Sequence, residues 1–140
     1  MLFHLYKLLK KMQRPTNKPI IEGEIADYYF EDNGILVSLS KSPKRTVESI
    51  SRNVALVKKI TGNKTVPLLI YLCKSPVPDK ATQKFSTEQL PQIYKAMAMV
   101  SKPGLAAFIM KLLFKFRKPP IPMKSFTDDK EAKEWLKQYI

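Results

Sequence analysis

The sequence predicts an α/β fold built on a mostly parallel sheet, and three observations carry that reading. Asn33-Gly34 lies between two β-rich runs, a strong hairpin signal. Val66–Cys73 (Val-Pro-Leu-Leu-Ile-Tyr-Leu-Cys) is a continuous apolar run bounded by turn residues, the pattern of a strand buried on both faces. After the hairpin, segments of helical periodicity alternate with strand-like runs, which implies right-handed crossovers onto one sheet.

The 140 residues suggest one domain, large enough to bury a core without a disulfide or metal staple. An apolar fraction of 44% argues against global disorder. One cysteine, Cys73, and one histidine, His4, exclude an internal bridge and the usual Cys/His zinc patterns. Neither a metal nor a cofactor is therefore expected, and a reducing cytosol is the simplest location. There is no run of 18 apolar residues, so no membrane-spanning helix is expected. The stretch Met1–Lys11 lacks the apolar core and cleavage site of a signal peptide, and Met12 is an alternative start. The net charge of +13 attracts nucleic acid, anionic lipid or an acidic partner. Residues 1–18 and 102–118 each carry five basic groups and no acid.

The elements follow in order. Leu2, Leu5, Tyr6, Leu9 and Met12 share one face of a helix over residues 1–14, with His4, Lys7, Lys10, Lys11 and Arg14 opposite. Pro15 to Pro19 forms a linker. Residues 1–18 thus read as a basic amphipathic extension, and residues 19–140 as the domain. Ile21–Phe30 and Ile35–Ser40 are the hairpin strands, joined where Asn33 and Gly34 both tolerate positive φ. Thr46 can cap a helix in which Val47, Ile50, Val54, Val57 and Ile60 recur at helical spacing, widened by Ala55 and Leu56. Lys58 and Lys59 suit its last turn, and Gly62 stops it. Lys80–Tyr94 has helical composition, but Pro91 and Ser86 are expected to divide it into two short pieces.

Ala96–Val100 is another buried strand. Pro103 suits a helix start, Leu105–Phe116 is the most apolar helix, and Pro119, Pro120 and Pro122 end it. Ile121–Phe126 is an edge strand, since proline cannot donate to a ladder. Thr127 caps the last helix, with Asp128 and Asp129 at its positive end and Ala132, Trp135, Leu136 and Tyr139 facing inward. The order is β-β-α-β-α-β-α-β-α: a mixed five-stranded sheet that starts with a β-hairpin and has helices packed on it.

Several motifs carry a resemblance. They are Glu31-Asp-Asn-Gly34-Ile, Gly62 with Val66-Pro-Leu-Leu-Ile, Ala96-Met-Ala-Met-Val, Lys118-Pro-Pro-Ile-Pro-Met-Lys-Ser-Phe-Thr127 and Glu131-Ala-Lys-Glu-Trp-Leu136. Over residues 19–140 the chain resembles STAS-like domains, the group of the bacterial anti-sigma-factor antagonists, and a family of small bacterial STAS/SEC14-type proteins. The resemblance implies a STAS-like single domain. It also implies that a serine or threonine near the start of the second helix is phosphorylated, and that the added charge breaks partner binding. In Lys74–Thr82 the candidates are Ser75 and Thr82, which also read as an ordinary turn serine and helix threonine.

Catalysis is not expected. His4 precedes the domain, and Cys73 follows a buried strand with no base or cation arranged beside it. Asp128 and Asp129 read as helix capping, and the four glycines do not cluster into a phosphate loop. The candidate binding surface is the segment 105–118. Lys111, Lys115 and Lys118 fall on one face with Arg117 near the end. Phe108 and Leu112 belong to an apolar arc wider than the about 100° that a sheet-packed helix needs. The surplus either docks a partner, pairs with a second copy, dips into a membrane surface, or is buried while the lysines snorkel. Nucleic acid is disfavoured, because Tyr28, Tyr29 and Phe30 are interleaved with Asp27 and Glu31. The expectation is a non-catalytic cytoplasmic binding or regulatory module acting by protein–protein contact, with a homodimer as one form. The alternative is a peripheral lipid-binding module at the inner membrane face, using residues 1–14 and 105–118.

Overall fold

The computed structural model describes residues 18–102 and 119–140. Its five strands form one sheet in the order β1-β2-β3-β4-β5. β1 (Ala26–Phe30) pairs antiparallel with β2 (Leu36–Ser40). β3 (Val66–Tyr71), β4 (Tyr94–Val100) and β5 (Met123–Phe126) follow in parallel. α1 (Val47–Thr61) links β2 to β3, and α2 (Lys80–Ile93) links β3 to β4. α3 (Asp129–Leu136) follows β5 and ends in a 3-10 turn at Lys137–Tyr139. The mixed five-stranded α/β architecture expected from the sequence is the one observed. The helices expected over 1–14 and 105–116 lie outside the described residues.

The hairpin turn differs from the expected one. Gly34 alone takes positive φ (+93°), while Asn33 does not. The Glu31 N–H donates to Ile35 O (2.8 Å) and the Gly34 N–H to Glu31 O (3.1 Å). This is a three-residue loop with a left-handed glycine, which matches strand twist as a two-residue turn would. The Asn33 side chain instead accepts the Ile35 N–H at 3.3 Å.

Local chemistry sets the helix ends. Thr46 and Ser49 form a reciprocal capping box at the start of α1, and Gly62 ends it in the left-handed conformation at φ 63°. Ala55 faces solvent rather than widening the apolar stripe. α2 runs unbroken from Lys80 to Ile93, where composition predicts two pieces. Pro91 lies in its last turn, so the missing N–H removes a bond at the end of the helix instead of in its middle. α3 is capped by Asp128, not Thr127; its Oδ1 accepts the Lys130 N–H at 2.9 Å.

Alternation sends Leu36 and Leu68 to one face of the sheet and Val37 and Leu69 to the other, all at most 1% exposed. α1 covers the first face with Ile50, Val54 and Val57, and α2 with Ile93, Phe85 and Leu90. Strands laid down in sequence, with crossovers of one hand, require both helices on the same face. On the opposite face α3 buries Ala132 and Leu136. Ala96 and Ala98 present only methyl groups there, so this short helix lies close against β4.

The register between β3 and β4 shifts at Val66/Pro67, where Lys95 is the extra residue: Val66 pairs with Tyr94 and Pro67 with Ala96. A bulge is where a proline is tolerated inside a sheet. It also breaks the alternation, so Tyr94 joins Met97 and Met99 on the α1–α2 face.

Three acids of the hairpin region are paired closely. Asp27, with its side chain 1% exposed, meets Lys41 Nζ at 2.8 Å. Glu24 accepts two bonds of 2.8 Å from the Arg52 guanidinium. Glu31 lies between Lys18 (2.9 Å) and Lys133 (3.1 Å), tying the segment that leads into β1 to α3.

Two predictions follow from this packing. A Cβ on Gly23 would sit 2.5 Å from Ala26 O and 2.9 Å from Leu56 Cδ2. Gly23→Ala is therefore expected to lower stability by about 1–3 kcal/mol in urea melts. The second concerns Glu31. Burial pushes its carboxyl up, but bonds from Lys18 and Lys133 outweigh that and hold it below its ordinary 4.5. Such a group adds stability above its unfolded value, and that stability is lost as pH falls through the folded value. Melts across about pH 6 to 3 should show a shallower acid loss in Glu31→Gln than in the wild type. Identical acid limbs would remove Glu31 from the account.

Candidate functional site

The α1–α2 face is not filled completely. A cleft of about 260 Å³ lies between the two helices, floored by β1–β4 and roofed by the loop after β3. The helices are joined near their C-terminal ends, where Lys58 Nζ donates to Gln92 Oε1 (3.2 Å). The cleft lies along the walls made by Ile50, Asn53 and Val54 of α1 and by Ser86, Gln89 and Leu90 of α2. Its mouth is at Ser40, Cys73 and Ser75, beyond the carboxyl ends of β2 and β3, where open α/β sheets place their ligands.

The inner wall combines apolar side chains with one polar chain. Leu68, Met97 and Ile93 are apolar and at most 7% exposed. Beside them the Tyr28 hydroxyl donates to Asn53 Oδ1 at 2.8 Å. Tyr28 also bonds Tyr94 and Ser38. Tyr94 reaches this face only because of the bulge at Lys95. Burial raises the Tyr28 phenol above its ordinary 10.0, opposed by bonds to Asn53, Tyr94 and Ser38. Burial raises Tyr94 well above 10.0 too, helped by the Tyr28 charge and hydrogen bond. Both remain neutral phenols at physiological pH, so they donate and accept hydrogen bonds and do not act as bases.

Arg45 buttresses the mouth. Its guanidinium donates to Lys41 O, to Pro43 O (2.6 Å), to Ile25 O (3.0 Å) and to Ser40 Oγ (3.4 Å). The Cys73 thiol donates to Ser40 O at 3.3 Å, which joins the ends of β2 and β3. Among the described residues no group of three His, Cys, Asp or Glu side chains is placed to hold a metal ion.

A second polar cluster lies on the α3 face. The Tyr71 hydroxyl donates to Asp129 Oδ2 at 2.8 Å. Burial, then the Asp129 bond and charge, raise the Tyr71 phenol far above its ordinary value. Tyr29 is pushed up to about 12 by burial and the charges of Glu31 and Asp129. These groups anchor the N-terminus of α3 to the sheet.

Of the residues singled out in sequence, Lys111, Lys115, Arg117, Lys118, Phe108 and Leu112 lie outside the described residues. Ser75 is half-buried and lines the mouth of the cleft. Thr82 is 5% exposed; its backbone N–H donates to Asp79 Oδ1 at 2.8 Å, and its side chain bonds the same carboxylate. That geometry makes Thr82 part of the α2 cap and sets it apart from Ser75. Composition does not single out Tyr28, Asn53 and Tyr94. The signal that locates Asn53 is a carboxamide one turn from Ile50, interrupting the inward stripe of α1.

A family model matches residues 28–140, from Tyr28 in the cleft through α3. The chain belongs to the DUF7793 family, described as a domain of unknown function. Its fold is similar to that of an uncharacterized protein of the DUF3478 family, with a SpoIIAA-like fold, from Shewanella loihica PV-4. The two share 18% identity with a TM-score of 0.51, over 85% of this chain and 91% of that one. At that identity the likeness establishes the fold alone, and it is the STAS-type fold implied by the sequence motifs. A comparison with curated proteins finds no match.

Tyr28→Phe removes the middle of the Tyr94–Tyr28–Asn53 chain and leaves the polar groups on either side without that partner. It is expected to cost about 1–2 kcal/mol in chemical melts. In a double-mutant cycle with Tyr94→Phe the two losses should be smaller together than their sum. Additive losses would show that the hydroxyls act independently.

Proposed function

We propose that the chain is a non-catalytic binding module with a regulatory role, and that recognition takes place in the α1–α2 cleft. The observation that carries this reading is the cleft itself: a concave, mainly apolar space at the carboxyl ends of parallel strands, with a few convergent polar groups. Its titratable side chains are committed to structure. Arg45 holds backbone carbonyls, and Tyr28 and Tyr94 are neutral phenols in a hydrogen-bonded chain. Binding is chemistry such a lining performs well, whereas proton transfer would need a group poised near neutrality. No helix among the described residues is long and apolar enough to cross a membrane.

A second reading has its own observation. Val77, 45% exposed, is one of two large apolar side chains exposed among the described residues, and it sits on the loop that roofs the cleft. That loop therefore offers a protein partner a contact whose shape depends on what lies beneath it, which joins ligand binding to regulation by protein contact.

Filling the cleft tests the first reading. Ser86 is half-buried on the cleft wall, outside the core clusters. In a fragment screen by amide chemical shifts, wild-type protein should bind small apolar fragments with shifts at α1, α2 and residues 72–79. Ser86→Trp should keep the fold and lose those shifts. Fragments that bind both proteins alike would place recognition elsewhere.

A further inference from the structure

We infer that the cleft takes an alkyl carboxylate, with the chain lying on Leu68 and Met97 and the carboxylate at the mouth among Lys44, Lys74 and Lys80. This deepens the preceding reading and rests on it. The loops beside the mouth, residues 41–46 and 73–80, carry Lys41, Lys44, Arg45, Lys74 and Lys80 against one acid, Asp79. Of these Arg45 lines the cleft itself, while Lys44 and Lys74 adjoin lining residues in sequence and Lys80 lies two residues from Pro78. Asp79 is exposed and caps α2, where bonds from Thr82 hold its carboxyl below its ordinary 3.8. Lys41 is committed to Asp27 (2.8 Å) and Gly23 O (2.6 Å). Lys44, Lys74 and Lys80 are exposed, and none is in an ion pair with another described residue, although Lys44 is near enough to Asp79 to lower its carboxyl further. An apolar slot with a mainly basic rim complements an amphipathic ion of negative charge.

Size and solvation point the same way. The space of about 260 Å³ exceeds the roughly 150 Å³ that takes a benzene ring. At roughly 30 Å³ per water-sized group, it holds a chain of about eight carbons. The inner wall offers an ion only neutral partners, so a carboxylate would pay a large desolvation cost there. At the mouth it stays hydrated and beside lysines. The chain enters with its methyl end first.

Titration of the ¹⁵N-labelled full chain with octanoate, 1-octanol and octylamine tests this. Octanoate should shift the amides of 41–46, 73–80 and Asn53 to saturation, bind more tightly than octanol, and weaken as salt is added. Lys44→Glu combined with Lys74→Glu should weaken octanoate about tenfold and leave octanol unchanged. Ser86→Trp should abolish both. Equal affinity for octanoate and octanol in both proteins overturns the carboxylate and leaves the cleft reading standing. Shifts with other fragments but not with octanoate do the same. Octanoate shifts that survive Ser86→Trp place the anion on the surface and overturn the inference. A cleft that no compound perturbs overturns both readings together.

Discussion

Enclosure of β3 on both faces constrains everything around it. Leu68 and Leu69 point to opposite sides of the sheet, and neither is more than 1% exposed. A strand buried on both faces leaves no wet side on which a polar side chain can rest. Polar groups therefore enter with partners, as Tyr28 does with Asn53, Asp27 with Lys41 and Tyr71 with Asp129. Two hydroxyls, Ser101 Oγ and Ser125 Oγ, are the exceptions among the described residues. The pairs join elements far apart in sequence, so the price of burying them also fixes how α1 and α3 sit on the sheet.

The cleft follows from the same enclosure and one irregularity. Without the extra residue at Lys95, alternation would turn Tyr94 away from Met97 and towards α3. The bulge keeps Tyr94 on the α1–α2 side, where its hydroxyl meets Tyr28. Two aromatic rings and a carboxamide then stand where aliphatic side chains would pack more closely. The result is a cavity wall that is rigid, neutral and able to hydrogen-bond.

The fold was legible in sequence wherever periodicity and punctuation agreed. Val66–Cys73 announced a doubly buried strand, and Thr46 with Gly62 bracketed α1. Legibility failed where a residue's effect depends on position inside an element. Pro91 looks like a breaker until it is seen to occupy the last turn of α2. Asn33 looks like half of a two-residue turn, although its side chain is used to hold Ile35 instead. The cleft was less legible than the fold, because it arises from tertiary facts. Tyr28, Asn53 and Tyr94 lie on three elements, and Tyr94 joins the other two only through the register shift at Lys95. Asn53 alone left a trace, as a polar residue on an apolar stripe.

Charge is distributed by the same logic. The net +13 is a property of the whole chain, but near the sheet three acids are matched: Asp27 by Lys41, Glu24 by Arg52, and Glu31 by Lys18 and Lys133. Around the cleft the exposed charge is mainly positive: Lys44, Lys74 and Lys80 stand beside a single exposed acid, Asp79, which caps α2 and faces Lys44. Exposed lysines contribute little affinity each, because water and salt screen them. They contribute more to encounter, since a field of one sign draws anions towards the surface. Shape and apolar contact inside the cleft must then supply most of the binding energy, and the rim supplies selection by sign. A neutral interior behind a basic rim divides affinity from selectivity in space, so the two can be altered separately by substitution.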